Sequence, residues 1–206
     1  MKNKIFISIL FVLCINNTSG QQSALEVFQE ASKNILSKKN IYYKFTIKST
    51  EENGIFPLDG ELYLSGNKHF INSQKIDQIN DGTDVFTIIH ENKEVIVSTS
   101  ETMNFFVNFT PNQILNYFMQ GFKLEVEENT SDYYIITARN NEEEDIIYNI
   151  TLDSSDLSMN SVELIKNNKI IYSFLTLTYE YNLKISPSLF KFEKNDYDQY
   201  LIVNQN

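Results

Sequence analysis

Cysteine, tryptophan and arginine are nearly missing from this 206-residue chain, which holds one, none and one of them. The one cysteine, Cys14, lies in a stretch read below as a cleaved leader, so the remaining domain must hold together without disulfides. No G-x-S-x-G elbow, H-E-x-x-H pair or glycine-rich phosphate loop occurs, so nothing supports nucleophilic or metal catalysis. The two histidines, His69 and His90, fall in expected strands with no motif around them and read as structural or surface residues. Proline (three) and glycine (six) nowhere gather into a linker, and there are no internal repeats. The expectation is a protein that is not an enzyme and has no metal and no cofactor.

The first 20 residues stand apart. Lys2 and Lys4 form a basic head, and Ile5 to Cys14 form an apolar run of secretory length. That run is too short for a transmembrane helix, which needs about 20 apolar residues. Thr18 and Gly20 occupy the positions that small residues take before a signal-peptidase cut. A lipoprotein signal with Cys14 lipidated is the rival reading, but Leu13 stands where that processing wants a small residue. Residues 1–20 are therefore expected to be a cleaved signal peptide, and 21–206 a single exported domain. Removing two lysines leaves 15 basic residues against 27 acidic, a net charge of −12. Such a charge disfavours nucleic acid and anionic membrane surfaces as partners. Twelve tyrosines and fifteen phenylalanines leave ample aromatic surface for a core or a pocket.

Two helices and a long series of strands are expected. Ser23 and Glu26 form a capping-box pair ahead of Ala24, Leu25, Phe28, Ala31, Ile35 and Leu36, which recur at helical spacing. Ile41, Tyr43, Phe45 and Ile47 then alternate with polar residues as a half-buried strand. Residues 58–97 read as a meander, with a reversal at Asn80-Asp81-Gly82 and a turn at Asn92-Lys93. Thr110 and Pro111 start a short helix that ends at Gly121, with Ile114, Leu115 and Phe118 on one side. The segment before it, with Phe105, Phe106 and Phe109, reads either as a satellite core or as a mobile apolar lid over a cavity. A second meander fills residues 122–181, its acidic run Glu142 to Asp145 a solvated hairpin tip rather than a cation loop. Leu189 to Phe192 is a last apolar anchor, and residues 195–206 read as a polar, loose tail. The sum is a mainly β (α+β) protein of about eleven antiparallel strands, and a sheet that large usually curls or closes. A helix inside a curved sheet makes a concave apolar interior of the kind where ligands bind.

In family order and spacing, the chain resembles the LolA-type periplasmic carriers of outer-membrane lipoproteins. The residues that carry the resemblance are Gly60-Glu61-Leu62-Tyr63-Leu64-Ser65-Gly66, Asp81-Gly82-Thr83-Asp84-Val85-Phe86 and Pro111-Asn112-Gln113-Ile114-Leu115, followed by Gly121-Phe122. Ile150-Thr151-Leu152-Asp153 and Ser186-Pro187-Ser188-Leu189-Phe190-Lys191-Phe192 complete the set. The resemblance implies an incomplete β-barrel with a helical lid, working as a monomer in the periplasm. It also implies acylated lipoproteins as cargo, an inner-membrane lipoprotein-releasing ABC transporter as donor, and an outer-membrane acceptor. The alternative on the same fold is a general lipid-binding or lipoprotein-sensing protein. The expected acyl-binding residues are Phe45, Ile47, Leu62, Leu64, Phe70, Phe86 and Ile88, with Phe105, Phe109, Leu115 and Phe118 from the lid side. Lys68, Pro111 and Ile114 are the lid-related residues. The family's best-known members carry an arginine on the strand after Leu62–Leu64 that helps hold the lid shut. Here the neighbourhood is Gly66-Asn67-Lys68-His69, and lysine lacks the planar, multi-donor contacts of a guanidinium.

Overall fold

Residues 22–50, 57–99, 110–140, 142–143 and 145–205 are described by the computed structural model of the chain. The Glu26 N–H donates to Ser23 Oγ at 3.3 Å and the Ser23 N–H to Glu26 Oε2 at 2.8 Å, closing the capping box that starts α1 (Ala24–Ser37). Thr110 and Gln113 form the same reciprocal pair at α2 (Pro111–Met119), where Pro111 takes a first-turn position that needs no N–H donor. Both helices are amphipathic. α1 buries Val27, Phe28 and Ala31 completely, and α2 buries Ile114, Leu115 and Phe118.

The strands are β1 (Ile41–Ser49), β2 (Leu58–Ser65), β3 (Lys68–Ser73), β4 (Ile76–Asn80), β5 (Asp84–Ile89), β6 (Glu94–Thr99), β7 (Phe122–Asn129), β8 (Tyr133–Asn140), β9 (Ile146–Asp153), β10 (Met159–Lys166), β11 (Lys169–Tyr181) and β12 (Leu201–Asn204). They form one twelve-stranded sheet in the order β12-β6-β5-β4-β3-β2-β1-β11-β10-β9-β8-β7. The end strands β12 and β7 do not pair, so the sheet stays open. Hairpin meanders make each half, and β1 joins them through its antiparallel ladder with β11. At the β4–β5 reversal Gly82 holds φ +102°, which a residue with a Cβ rarely adopts, and Asp81 Oδ1 accepts from the Thr83 and Asp84 N–H groups.

The cross-strand register fixes the two faces, since directly opposed residues share a side. Leu62, Ile71, Gln78, Thr87 and Ile96 oppose one another in one row across β2 to β6. Tyr63, Phe70, Ile79, Phe86 and Val97 form the adjacent row, on the other face. The first face carries the helices. Leu62 and Leu64 cluster there with Phe28 of α1, Leu115 of α2, Ile136 of β8 and Ile150 of β9. The second face has its own cluster, Ile79, Ile88 and Val95, against which Phe70, Phe86, Phe192, Tyr197, Tyr200 and Ile202 pack.

That second cluster corrects the reading of residues 195–206 as a loose tail. Residues 201–204 form β12, the one parallel neighbour among the described strands, pairing Ile202 with Val95 and Val203 with Ile96 of β6. Phe192 stacks flat on Phe86 at 4.3 Å, Tyr197 stacks on Phe192 at 5.2 Å, and Tyr200 meets Tyr197 edge-on at 5.3 Å. His90 links the same segment to the sheet, with Nε2 3.1 Å from Asp77 Oδ2 and Nδ1 3.2 Å from the Tyr200 hydroxyl. An aromatic covering for the second face therefore comes from residues that lack any sequence period.

Candidate functional site

A recess of about 480 Å³ lies where the end of α1, the start of α2 and the β2–β3 and β4–β5 turns come together. Its apolar part is Ile35 and Leu36 of α1, Ile41 of β1 and Leu64 of β2. Ile35, Ile41 and Leu64 are buried, whereas Leu36 is 68 % exposed. Its polar part comes from turn and helix-end residues, among them Asn67, Lys68, Asn80 and Asn112. A second recess, also about 480 Å³, opens between Tyr63 and residues 183–189. It touches neither helix, and of the expected site residues it contains none.

His69 is 98 % out of solvent on the wall of the first recess, the start of a polar ladder across the helix-side face. Gln78 Nε2 donates to Thr87 Oγ1 at 3.1 Å, which turns Gln78 Oε1 toward His69 Nε2 at 2.8 Å. The proton of the neutral ring is thereby placed on Nε2, and Nδ1 is left an acceptor. Burial lowers the His69 pKa, and the Gln78 hydrogen bond opposes that only in part. A histidine with a depressed native pKa binds fewer protons folded than unfolded, so stability falls as pH drops through the unfolded value near 6.5. Urea midpoints are expected to fall between pH 7.5 and pH 5.5, and to fall less in His69→Gln. Equal losses in both proteins would show that His69 does not carry the effect.

The structure divides the expected acyl-binding residues into two groups. Phe45, Ile47, Leu62, Leu64, Leu115 and Phe118 come together in the helix-side cluster, with Ile114 of the lid-related set. Phe45 fits because Gly60 lies opposite it, where a Cβ would sit 2.7 Å from the Phe45 ring. Phe70, Phe86 and Ile88 lie on the other face, under residues 192–202. Pro111 is buried at the start of α2, and Lys68 is exposed on the recess. Phe105 and Phe109 lie outside the described residues. Leu64 and Lys68 are the two expected residues that line the recess itself. The amides around it, Asn67, Asn80 and Asn112, lie outside the expected site residues, because isolated asparagines in turns and at a helix end carry no spacing that marks them as a site.

Among the described residues no group of histidine, cysteine and carboxylate side chains could hold a metal ion, and no helix is long and apolar enough to cross a membrane. No family model and no curated protein matches the chain in sequence. Similarity appears at the level of architecture. The fold is that of an uncharacterized conserved protein from Thermus thermophilus. The two share 9 % identity at a TM-score of 0.63, over 88 % of this chain and 99 % of the other. A LolA superfamily protein from Nitrosomonas europaea is also similar, at 8 % identity and TM-score 0.40 over 82 % of this chain and 98 % of that one. So is an outer-membrane lipoprotein-sorting protein domain from Vibrio parahaemolyticus, at 11 % identity and TM-score 0.36 over 85 % and 96 %. The chain has an open, mostly β sheet with two helices on one face, a fold it shares with the Thermus thermophilus protein.

Proposed function

We propose that this chain is a periplasmic carrier that binds the acyl chains of lipoproteins and takes them from the inner to the outer membrane. The observation that carries this reading is the recess at the meeting point of both helices, floored by Ile35, Ile41 and Leu64. An acyl chain of about 16 carbons gains about 0.8 kcal/mol per buried CH₂, so leaving one in water costs up to about 13 kcal/mol. A carrier across an aqueous compartment must supply apolar surface without demanding polar partners that the chain cannot provide. The helices would supply it by moving off a sheet face that is already apolar, with Phe45, Ile47 and Leu62, and by freeing the apolar side of α2, with Leu115 and Phe118. Lys68, Pro111 and Ile114 would then mark the boundary between closed and open forms. In this reading residues 1–20 are cleaved on export and 21–206 act as one monomeric, non-enzymatic domain. An inner-membrane lipoprotein-releasing ABC transporter loads it, and an outer-membrane acceptor unloads it.

The two faces provide the test. Titration with a fluorescent fatty acid is expected to show Leu36→Glu and Leu64→Glu weakened at least tenfold, and Phe86→Glu little changed. Leu36 is already exposed, so its variant should fold as the parent does. Wild-type affinity in both Leu36→Glu and Leu64→Glu, with unchanged circular dichroism, would overturn the assignment.

A further inference from the structure

The polar side of the recess has a sign. Among the described residues, its fifteen lining residues include two lysines, Lys38 and Lys68, and no aspartate or glutamate. The chain as a whole has 27 acids against 17 bases, so a carboxylate-free lining is a departure from the surrounding surface. Two of the five lining amides, Asn80 and Asn112, point the same way, whereas Asn67 Nδ2 donates to the Gly82 carbonyl and Asn40 has both ends engaged with Leu183. Asn112 Oδ1 accepts from Ser32 Oγ at 2.5 Å, and Asn80 Oδ1 accepts from the Gly82 N–H at 2.8 Å. In each case the acceptor end is engaged within the protein, and the NH₂ end is the one left for a ligand. Ammonium groups and amide donors suit a carboxylate or phosphate oxygen.

These donors adjoin an apolar floor, and the combination selects a class of molecule. We propose that the recess binds the head of an anionic amphiphile, with a carboxylate or phosphate held between Lys38 and Lys68 and the first carbons of its chain on Ile35, Leu36, Ile41 and Leu64. This rests on the carrier reading and narrows it, since acyl chains alone would need no donors. A volume of about 480 Å³ falls within the range of small-ligand sites. It accommodates a head and the start of a chain, with the exposed Leu36 at the point where the chain leaves. The Lys38 Nζ rests 4.2 Å from the centre of the ring of Tyr181, a residue outside the lining, so a ligand in the recess would compete with that cation–π contact. The net negative charge of the protein disfavours anions in general, so the recess admits them at one place.

The test is calorimetric titration of the mature protein with decanoate, decyl phosphate, decanol and inorganic phosphate, all below micelle concentration. Decanoate or decyl phosphate should bind the parent about tenfold more tightly than decanol, and that advantage should vanish in the double variant Lys38→Gln, Lys68→Gln. Lys68→Arg should retain it, which separates lost charge from damaged folding. The stronger of the two acidic ligands identifies the head group. Three results would overturn the proposal. If decanol binds as tightly as the acids and the lysine variants change nothing, the carrier reading stands and the head-group site falls. If inorganic phosphate alone accounts for the lysine-dependent binding, the site takes a free anion and no amphiphile. If none of the four ligands binds, the carrier reading falls with it.

Discussion

Ending the chain at Lys191 is expected to lower its unfolding free energy by about 4 kcal/mol while leaving ligand affinity at the helix-side recess unchanged. The cut removes Phe192, Tyr197, Tyr200 and Ile202, the partly buried residues that cover the second face. Full burial of one large apolar side chain is worth roughly 1.5–3 kcal/mol, so four half-buried ones contribute about 1 kcal/mol each. The flat stack of Phe192 on Phe86 and the Tyr200 bond to His90 vanish as well. The recess shares none of these residues and lies on the other side of the sheet. Urea unfolding together with fatty-acid titration measures both quantities. A truncated chain that keeps full stability would show that residues 192–204 merely rest on the sheet. One that stays folded but loses the ligand would show that the two faces are coupled.

Phe28→Ala should cost about 3–5 kcal/mol, among the largest effects of any single substitution here. Phe28 is fully buried at the centre of α1, in the cluster that joins both helices to β1, β2, β8 and β9. Removing its ring leaves a cavity in that cluster, whose strands are held in place by their ladders. The same substitution is expected to loosen α1 from the sheet. On the carrier reading, it should therefore speed ligand exchange even while the protein stays folded. A loss below 1 kcal/mol by urea titration would contradict this place for Phe28.

Much of the fold can be read from the chain because its local signals agree with the final structure. Ser23 with Glu26 and Thr110 with Pro111 mark helix starts without ambiguity, and Asp81-Gly82 marks a reversal. The two faces could not be told apart for a physical reason. β5 has Val85, Thr87 and Ile89 on one side and Phe86 and Ile88 on the other, and both sides are covered. Alternation reveals the period of such a strand but gives its sides no sign, as happens when a sheet is buried on both faces. Phe86 and Leu64 therefore look equivalent in sequence, although the register sets them on opposite sides. β12 is hidden in the sequence because it is short and its supporting rings, Phe192, Tyr197 and Tyr200, are scattered among charged residues. The recess donors depend on which asparagine oxygens are already engaged, which only the folded backbone decides.

The seam between β1 and β11 also governs how fast the molecule can assemble. Within each meander the strands pair with sequence neighbours, β2 to β6 on one side and β7 to β11 on the other. The seam instead brings Thr46 to Leu175, 129 residues away. Closing a loop of that length costs about 2 kcal/mol more chain entropy than closing a ten-residue hairpin. Both meanders can form from nearby pairings before that long-range contact is made, and the search for it sets the pace of folding. Until the seam closes, β1 and β11 each present an unpaired edge, the state in which two nascent copies would most readily join to each other.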